Sequence, residues 1–136
     1  MATNLWPNAS LEANADDWNA KNGGTPSHSS TQAWQETYSV KCVPAADVWS
    51  GIRSDVNSVI EASTQYTLSL YFYPTTDSVN YAFQIRDQGA SQLALETFTS
   101  SADAWERRDL TFTSGVGDTG VDIMFFKSNH ADTGEF

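Results

Sequence analysis

Between Gln65 and Pro74 the chain alternates between two sets of side chains, and no other feature constrains its fold as strongly. Successive side chains of a β-strand point to opposite faces, so a period of two over this length predicts a strand with one face in a core. Pro74 ends the strand, because proline has no N–H to donate to the ladder. The residues predicted to face the core are Tyr66, Leu68, Leu70 and Phe72.

The same alternation recurs along the rest of the chain. Its core-type positions are Tyr38, Val40 and Cys42, then Tyr81, Phe83 and Ile85, then Leu110 and Phe112, then Val121, Ile123 and Phe125. Segments rich in Gly, Asp and Ser separate these strands and supply the turns. Short strands without a convincing helical period predict an all-β fold, an antiparallel β-sandwich. With 136 residues, 40% of them hydrophobic, we expect one domain over residues 1–136.

The charge of the chain narrows the classes of partner. A net charge of -10 at pH 7 repels phosphate backbones and anionic lipid headgroups, so we expect neither a nucleic acid nor a membrane surface as partner. The sequence also lacks an apolar run of about 20 residues, the length that a membrane-spanning helix needs. No basic region with a following apolar stretch comes after Met1, so no secretion signal is expected.

Residue patterns typical of catalysis are absent. His28 and His130 lie in polar segments without a nucleophile motif, and the many carboxylates show no spacing that marks a catalytic pair. The single cysteine, Cys42, falls in an alternating apolar pattern and is predicted to be a small core residue rather than a reactive thiol. We therefore expect a protein that acts by binding and is not an enzyme.

The N-terminal segment carries a resemblance to a known family. Asn4-Leu5 is followed by Asn8-Ala9-Ser10-Leu11-Glu12 and then by Trp18, and Tyr66-Thr67-Leu68-Ser69 and Thr111-Phe112-Thr113 follow in order. This series resembles jelly-roll carbohydrate-binding modules of families four, nine and twenty-two, a type of domain also found in phage tail and virion proteins. The resemblance covers nearly the whole chain. It implies a jelly roll that binds glycans without catalysis.

One departure from the resembling modules concerns the last strand. Their sandwich closes with a strand of the form Phe-Tyr-x-Asp-Asp-Val, whereas this sequence ends at Gly134-Glu135-Phe136. We expect either a fragment of a longer polypeptide, or a final strand that is short or donated by another chain, which would make the protein an oligomer. An unpaired edge would otherwise be prone to association.

Sugar binding needs aromatic rings that match the apolar face of a pyranose, with amide and guanidinium groups for its hydroxyls. If the set with Leu68 faces the core, Tyr71 and Tyr73 project from the other face, and we expect the strand of Gln84 and Arg86 beside them. Trp34 and Trp49, in loop or strand-end positions near Gly51, are expected to form the wall of a cleft. The predicted ligand-binding residues are Trp34, Trp49, Tyr71, Tyr73, Gln84 and Arg86. The alternative is that these aromatic rings cover the second face of the sheet or pack against a neighbouring subunit.

The resemblance also implies a structural calcium ion near the first and last strands. Its ligands would be the glutamate of the opening motif, here Glu12, and an aspartate of the closing strand. Calcium takes six to eight oxygen ligands. The alternative for Glu12 is a carboxylate that accepts hydrogen bonds from loop amides.

Two functional hypotheses remain. The first is a non-catalytic surface, decoration or tail-associated protein of a bacteriophage, located in the virion, which contacts other virion subunits or host glycans. The acidic composition, the low lysine content and the start at Met1 favour it. The second is an extracellular carbohydrate-binding module excised from a secreted glycoside hydrolase.

Overall fold

The computed structural model describes residues 5, 11–46, 49–128 and 134–136, which form β-strands and connecting segments. The strands are β1 (Asn19–Lys21), β2 (Thr25–Ser29), β3 (Ser39–Val43), β4 (Gly51–Asn57), β5 (Gln65–Phe72), β6 (Asn80–Asp87), β7 (Gln92–Thr99), β8 (Glu106–Thr113) and β9 (Gly120–Lys127). No helix that could span a membrane occurs in this part of the chain. The predicted all-β fold is confirmed.

One layer of the sandwich is a five-stranded antiparallel sheet in the order β1-β4-β9-β6-β7. Its inner face carries the alternating residues that the sequence assigned to the core. Those that lie nearest the centre are Tyr81, Phe83, Ile85, Val121, Ile123 and Phe125, and all six are buried. The periodicity of β6 and β9 therefore places one face of this sheet against the second layer and leaves the other face outside.

The second layer consists of two separate antiparallel pairs, β2 with β3 and β5 with β8. Leu110 and Phe112 of β8 are buried, and Tyr66 of β5 stacks on Phe112 with ring centroids 5.6 Å apart. Phe72 lies against Tyr81 and Phe125 of the opposite sheet, at centroid distances of 4.9 and 4.6 Å. The core is thus an aromatic contact between two layers, as predicted for a sandwich.

Cys42 lies in this core and is fully buried. Burial raises the pKa of its thiol to about 12, because the thiolate would lose its hydration there. The interpretation of Cys42 as a core residue is confirmed.

The last described residues lie between β3 and the segment that follows β5. Phe136 exchanges two backbone hydrogen bonds with Cys42, at 2.6 and 3.2 Å, and the Thr75 N–H donates to the Glu135 carbonyl at 3.0 Å. In the described part of the chain no ladder joins β3 directly to β5. The predicted closing strand, whether short, donated or part of a longer polypeptide, stays a prediction.

The expected neighbourhood of β5 and β6 is wrong. β5 pairs with β8, whereas β6 pairs with β7 and β9 in the opposite layer. The physical reason is the connection after Phe72: Pro74 cannot continue the ladder, and the chain crosses from one layer to the other before it pairs again at Asn80. Consecutive strands with the same periodicity therefore lie in different sheets.

Candidate functional site

The six residues predicted to bind ligand lie on opposite sides of the sandwich. Gln84 and Arg86 project from the outer face of the five-stranded sheet, with Trp49 beside them. Tyr71 and Tyr73 belong to the other layer, together with Trp34. The structure therefore forms two aromatic surfaces where the sequence predicted one.

The outer face of the five-stranded sheet holds a shallow depression of about 230 Å³, which we call the outer groove. It is lined by Lys21, Trp49, Ala82, Gln84, Arg86, Leu95, Thr97, Phe126 and Ser128. Ala82 lies directly across from Thr97 of β7 on one side and from Phe126 of β9 on the other. Because the alanine side chain is a single methyl group, the larger neighbours form walls around a low floor.

Trp49 is the exposed ring of the outer groove. It is 56% exposed and directly precedes Ser50 and β4. Its φ of 58° lies in the left-handed region, which bulky residues other than glycine seldom adopt. The ring of Phe126 lies deeper in the groove and is buried, with the Lys21 Nζ 4.6 Å from its centroid. The groove thus combines an open aromatic surface with an apolar base.

Polar groups converge on the same groove. Gln84 is only 6% exposed, and its side-chain N–H donates to the Gln92 side-chain oxygen at 2.7 Å, which fixes the orientation of its amide. The Nε of Arg86 is buried and has no hydrogen-bond partner among the described residues. Because this atom has almost no exposed surface, a ligand could reach it only after the groove side chains move.

Charges of both signs share the outer face. Burial raises the pKa of Asp122, and the neighbouring Asp55 raises it further through a hydrogen bond and charge repulsion. Burial lowers the pKa of Lys21, with repulsion from Arg86 and Arg53 adding to the effect. Arg53 and Arg86 partly oppose the shift of Asp122, because their positive charges lower its pKa. The ion pairs between described residues involve Lys41, Arg107 and Arg108, so the outer face carries cations that lie near a carboxylate without an ion pair to it.

The second aromatic surface, the rim cluster, consists of Trp34, Tyr71, Tyr73 and Trp105. Trp34 stacks on Tyr71 with centroids 4.0 Å apart, and Trp105 contacts both Trp34 and Tyr73, at 6.1 and 5.2 Å. Trp34 and Tyr71 are 47% and 41% exposed. These rings use part of their faces against one another, so less of each ring is left for a ligand than in the case of Trp49.

The predicted binding residues did not include two side chains of the outer groove, Phe126 and Lys21. Phe126 could have been found, because it alternates with Phe125, and if one of them faces the core the other must face outward. Lys21 could not, because β1 has only three residues and shows no usable period. Its position beside Phe126 depends on pairing across β4.

The predicted calcium ligand Glu12 is engaged with backbone. Its Oε1 accepts hydrogen bonds from the N–H groups of Thr37 and Tyr38, at 3.0 and 2.8 Å. The described residues hold no group of three or more His, Cys, Asp or Glu side chains that could bind a metal ion. The described residues thus do not by themselves fit a calcium coordination shell, and calcium binding stays an untested prediction.

Comparison with known families and structures agrees with this architecture. The model of a family described as "Carbohydrate binding domain" matches residues 3–132. No curated protein sequence is significantly similar to the chain.

Several solved structures share the fold at low sequence identity. The first is the tandem domain CBM22-1-CBM22-2 of Paenibacillus barcinonensis Xyn10C, with a TM-score of 0.73 and 13% identity over 93% of this chain and 40% of the other. The single CBM22-1 xylan-binding domain of the same protein gives a TM-score of 0.71 and 14% identity over 91% of this chain and 83% of the other. The enzymatically active domain of bacteriophage CBA120 tailspike protein 4 gives 0.67 and 14%, over 97% of this chain and 20% of the other. At these identities the likeness shows the fold alone.

Proposed function

This chain belongs to the carbohydrate binding domain family, and from that membership we propose that its outer groove binds a polysaccharide. The domain is a carbohydrate-binding module, which is non-catalytic. Its contribution is therefore to hold a glycan in place. Any activity of a larger protein that contains it would come from elsewhere.

The observation that carries the proposal is the arrangement of Trp49, Gln84 and Arg86 around one apolar floor. An exposed indole offers a flat surface to the apolar face of a pyranose ring. An oriented amide and a guanidinium supply hydrogen bonds in fixed directions to the hydroxyls at the ring edge. Arg86 lines the groove beside Gln84 and is only half-buried, so part of its side chain is open to a ligand.

The outer groove crosses the whole five-stranded sheet, which suits a chain rather than a single sugar. It reaches from Lys21 of β1 on one edge to Leu95 and Thr97 of β7 on the other. Since a module of the same fold is described as xylan-binding, xylan is the first polysaccharide to test. The specificity of this chain is a separate property from its fold.

Affinity electrophoresis and titration calorimetry with xylan, and then with a panel of other polysaccharides, test the proposal. We expect Trp49→Ala to weaken binding about ten-fold or more, because a stacking ring at the centre of a site carries a large share of the affinity. Val116→Ala, at a position that is 96% exposed in a turn, serves as the control. A folded protein that binds none of the glycans, or whose affinity is the same in Trp49→Ala, would contradict the proposal.

We further propose that the module belongs to a bacteriophage particle, where it binds host surface glycans and contacts other virion subunits. The similarity of fold to a part of a phage tailspike supports this setting. A module attached to a secreted glycoside hydrolase is equally well supported, through the similarity to modules of Xyn10C. Mass spectrometry of purified virus particles and of culture medium separates the two. Peptides of this chain in the particles support the virion, and their restriction to the medium with a hydrolase supports the enzyme.

A further inference from the structure

The outer face of the five-stranded sheet carries a pair of carboxyl groups beside the outer groove. Asp55 of β4 lies directly across from Asp122 of β9, and Asp122 lies directly across from Arg86 of β6. Directly opposed residues of an antiparallel pair project to the same face of the sheet. Because Arg86 lines the outer groove, Asp55, Asp122 and Arg86 form one row across this face, which we call the charged row.

The charged row lies next to the residues that would hold a sugar. Two positions farther along the same strands, Gln84 of the outer groove is opposite Met124. Two residues of a strand span about 7 Å. This distance is shorter than the Debye length of about 8 Å at physiological ionic strength, so a charge on Asp122 acts on a ligand that contacts Gln84 and Arg86.

The two carboxyl groups are placed to share a proton. A hydrogen bond joins the side chains of Asp55 and Asp122, and such a bond requires one carboxyl to be protonated. Burial raises the pKa of Asp122, and Asp55 raises it further, because two carboxylates at this separation repel each other. Arg53 and Arg86 act in the opposite direction. The pair therefore passes from one negative charge to two as the pH rises through the raised pKa.

The charged groups that face this pair come from three strands. They are Arg53 of β4, Arg86 of β6 and Lys21 of β1, whose pKa is lowered by burial and then by repulsion from both arginines. Asp87, the carboxylate next in sequence to Arg86, alternates to the other face of β6 and lies across from the core residue Val121. A proton on the pair therefore removes negative charge from the neighbourhood of three cations.

Neutral amides close the charged row on the side away from the groove. The Gln88 side-chain N–H donates to the Asn57 side-chain oxygen at 3.1 Å, and the Thr119 hydroxyl donates to the Gln88 side-chain oxygen at 3.3 Å. Gly120 leaves the space for this contact, since a Cβ there would lie 2.7 Å from the Asn57 Oδ1 and 2.9 Å from the Gln88 Nε2. A bound ligand therefore meets the charged row from the side of the outer groove.

We propose that Asp55 and Asp122 set the preference of the outer groove for anionic glycans, reducing it while both carboxylates are ionised and restoring it when they share a proton. The inference rests on the proposed function, because it concerns which glycans the outer groove takes. Both carboxylates offset the attraction that Lys21 and Arg86 exert on a uronate or sulfate group. A neutral sugar meets no such attraction, so its affinity should be nearly independent of the pair.

Titration calorimetry with three forms of one polymer tests the proposal: unsubstituted xylan, glucuronate-substituted xylan and xylan sulfate. The affinities are measured at low salt from pH 7 downward toward 3.8, the ordinary pKa of an aspartate. We expect the affinity for xylan sulfate, relative to unsubstituted xylan, to rise about two- to five-fold as the pH falls, the range that one exposed charge allows. A sulfate ester stays ionised over this range, so the change would come from the protein. Glucuronate-substituted xylan should follow the same trend until its own carboxyl takes up protons.

Matched variants assign the effect to the pair. Asp122→Asn removes the charge that the proton would neutralise, and it should raise the relative affinity for xylan sulfate at pH 7 by about two- to five-fold and abolish its dependence on pH. Asp55→Asn should act in the same way, and it decides if Asp122→Asn does not fold. Asp109→Asn is the control, because it removes a carboxylate of β8 in the opposite layer and should keep the pH profile of the unsubstituted protein.

Three outcomes would overturn the proposal. One is a relative affinity for xylan sulfate that stays constant with pH. Another is a pH effect that persists in both Asp122→Asn and Asp55→Asn, because the net charge of the whole protein would then be its cause. The third is an equal change in Asp109→Asn. Unsubstituted xylan separates these results from a failure of the proposed function: if no polymer binds at any pH, the outer groove is not a glycan site and both proposals are wrong.

Discussion

The indole of Trp34 stacks on the ring of Tyr71, with centroids 4.0 Å apart and planes inclined by 12°, on the side of the sandwich opposite to Trp49. Stacked pairs contribute about 0.5–1.5 kcal/mol beyond the burial of their surface. The contact joins the loop before β3 to the edge of β5, and we interpret its role as structural. The rim cluster would then stabilise the fold, whereas the outer groove on the opposite side would bind the glycan.

We expect Trp34→Ala to lower the free energy of unfolding by about 1–2 kcal/mol, and to change glycan affinity less than about two-fold. Urea denaturation and titration calorimetry measure the two quantities on the same protein. Trp49→Ala is the matched substitution. It should weaken glycan binding strongly and leave the free energy of unfolding nearly unchanged. If Trp34→Ala loses affinity as strongly as Trp49→Ala does, the rim cluster binds the glycan, as the sequence alone predicted.

The cations of the outer groove predict a preference among glycans. Lys21 and Arg86 line the outer groove and form no ion pair with a described carboxylate, so a uronic acid on the ligand would meet positive charge there. We expect glucuronate-substituted xylan to bind about two- to five-fold more tightly than unsubstituted xylan, as an exposed ion pair of up to about 1 kcal/mol allows. The preference should shrink in Arg86→Gln and at high salt. Equal affinity for both polymers at low salt would contradict it.

The carboxylates Asp55 and Asp122 predict a pH effect on stability. Burial and Asp55 raise the pKa of Asp122 above 3.8, so the folded state binds a proton more tightly than the unfolded state does. Stability linked to this proton is present at low pH and is lost as the pH rises through the raised pKa. We expect Asp122→Asn to be more stable than the unsubstituted protein at pH 7, with the difference shrinking as the pH falls toward 3.8, in thermal melts.

Asp109 provides a control of opposite sign. The hydrogen bond from Ser69 and the nearby Arg107 guanidinium hold the pKa of its carboxyl below the ordinary value. Asp109→Asn should therefore lower stability at pH 7, and the loss should vanish at acidic pH.

The opposite outcome for Asp122 would contradict the prediction made for it. A destabilised Asp122→Asn protein at pH 7 would show that the Asp55 hydrogen bond outweighs the cost of burying the charge.

Strand periodicity predicted which side of each strand faces the core, but not which strands share a layer. The alternation in β5, β6 and β9 identified the core side of each strand, because burial on one face leaves a local pattern. The crossing from β5 to β6 leaves no such pattern, since Pro74 and the residues after it end a strand whichever layer follows. Trp49 therefore joins Gln84 and Arg86 rather than Tyr71, and this contact depends on strand order in the five-stranded sheet.

The buried thiol of Cys42 allows a chemical test of the folded core. With a thiol pKa of about 12 and no exposed surface, only about one molecule in ten thousand would carry a thiolate at pH 8. We expect iodoacetamide to leave the native protein unmodified over hours and to alkylate it fully in urea, as measured by intact mass. Fast alkylation of the native protein would show that β3 opens readily and exposes the thiol.

Substitutions of Glu12 test whether its contribution to stability comes from hydrogen bonds or from a calcium ion. Its Oε1 accepts from the N–H groups of both Thr37 and Tyr38, and hydrogen bonds to a charged acceptor contribute about 1.5–3 kcal/mol. We expect Glu12→Gln, which keeps the shape and removes the charge, to lower the free energy of unfolding by about 1 kcal/mol, and Glu12→Ala to lower it further. Melts in calcium chloride and in EDTA should coincide for the unsubstituted protein if the hydrogen bonds to Thr37 and Tyr38 are the whole role of Glu12. A melting temperature that rises with calcium in the unsubstituted protein but not in Glu12→Gln would instead make Glu12 a metal ligand, since amide hydrogen bonds alone do not respond to the ion.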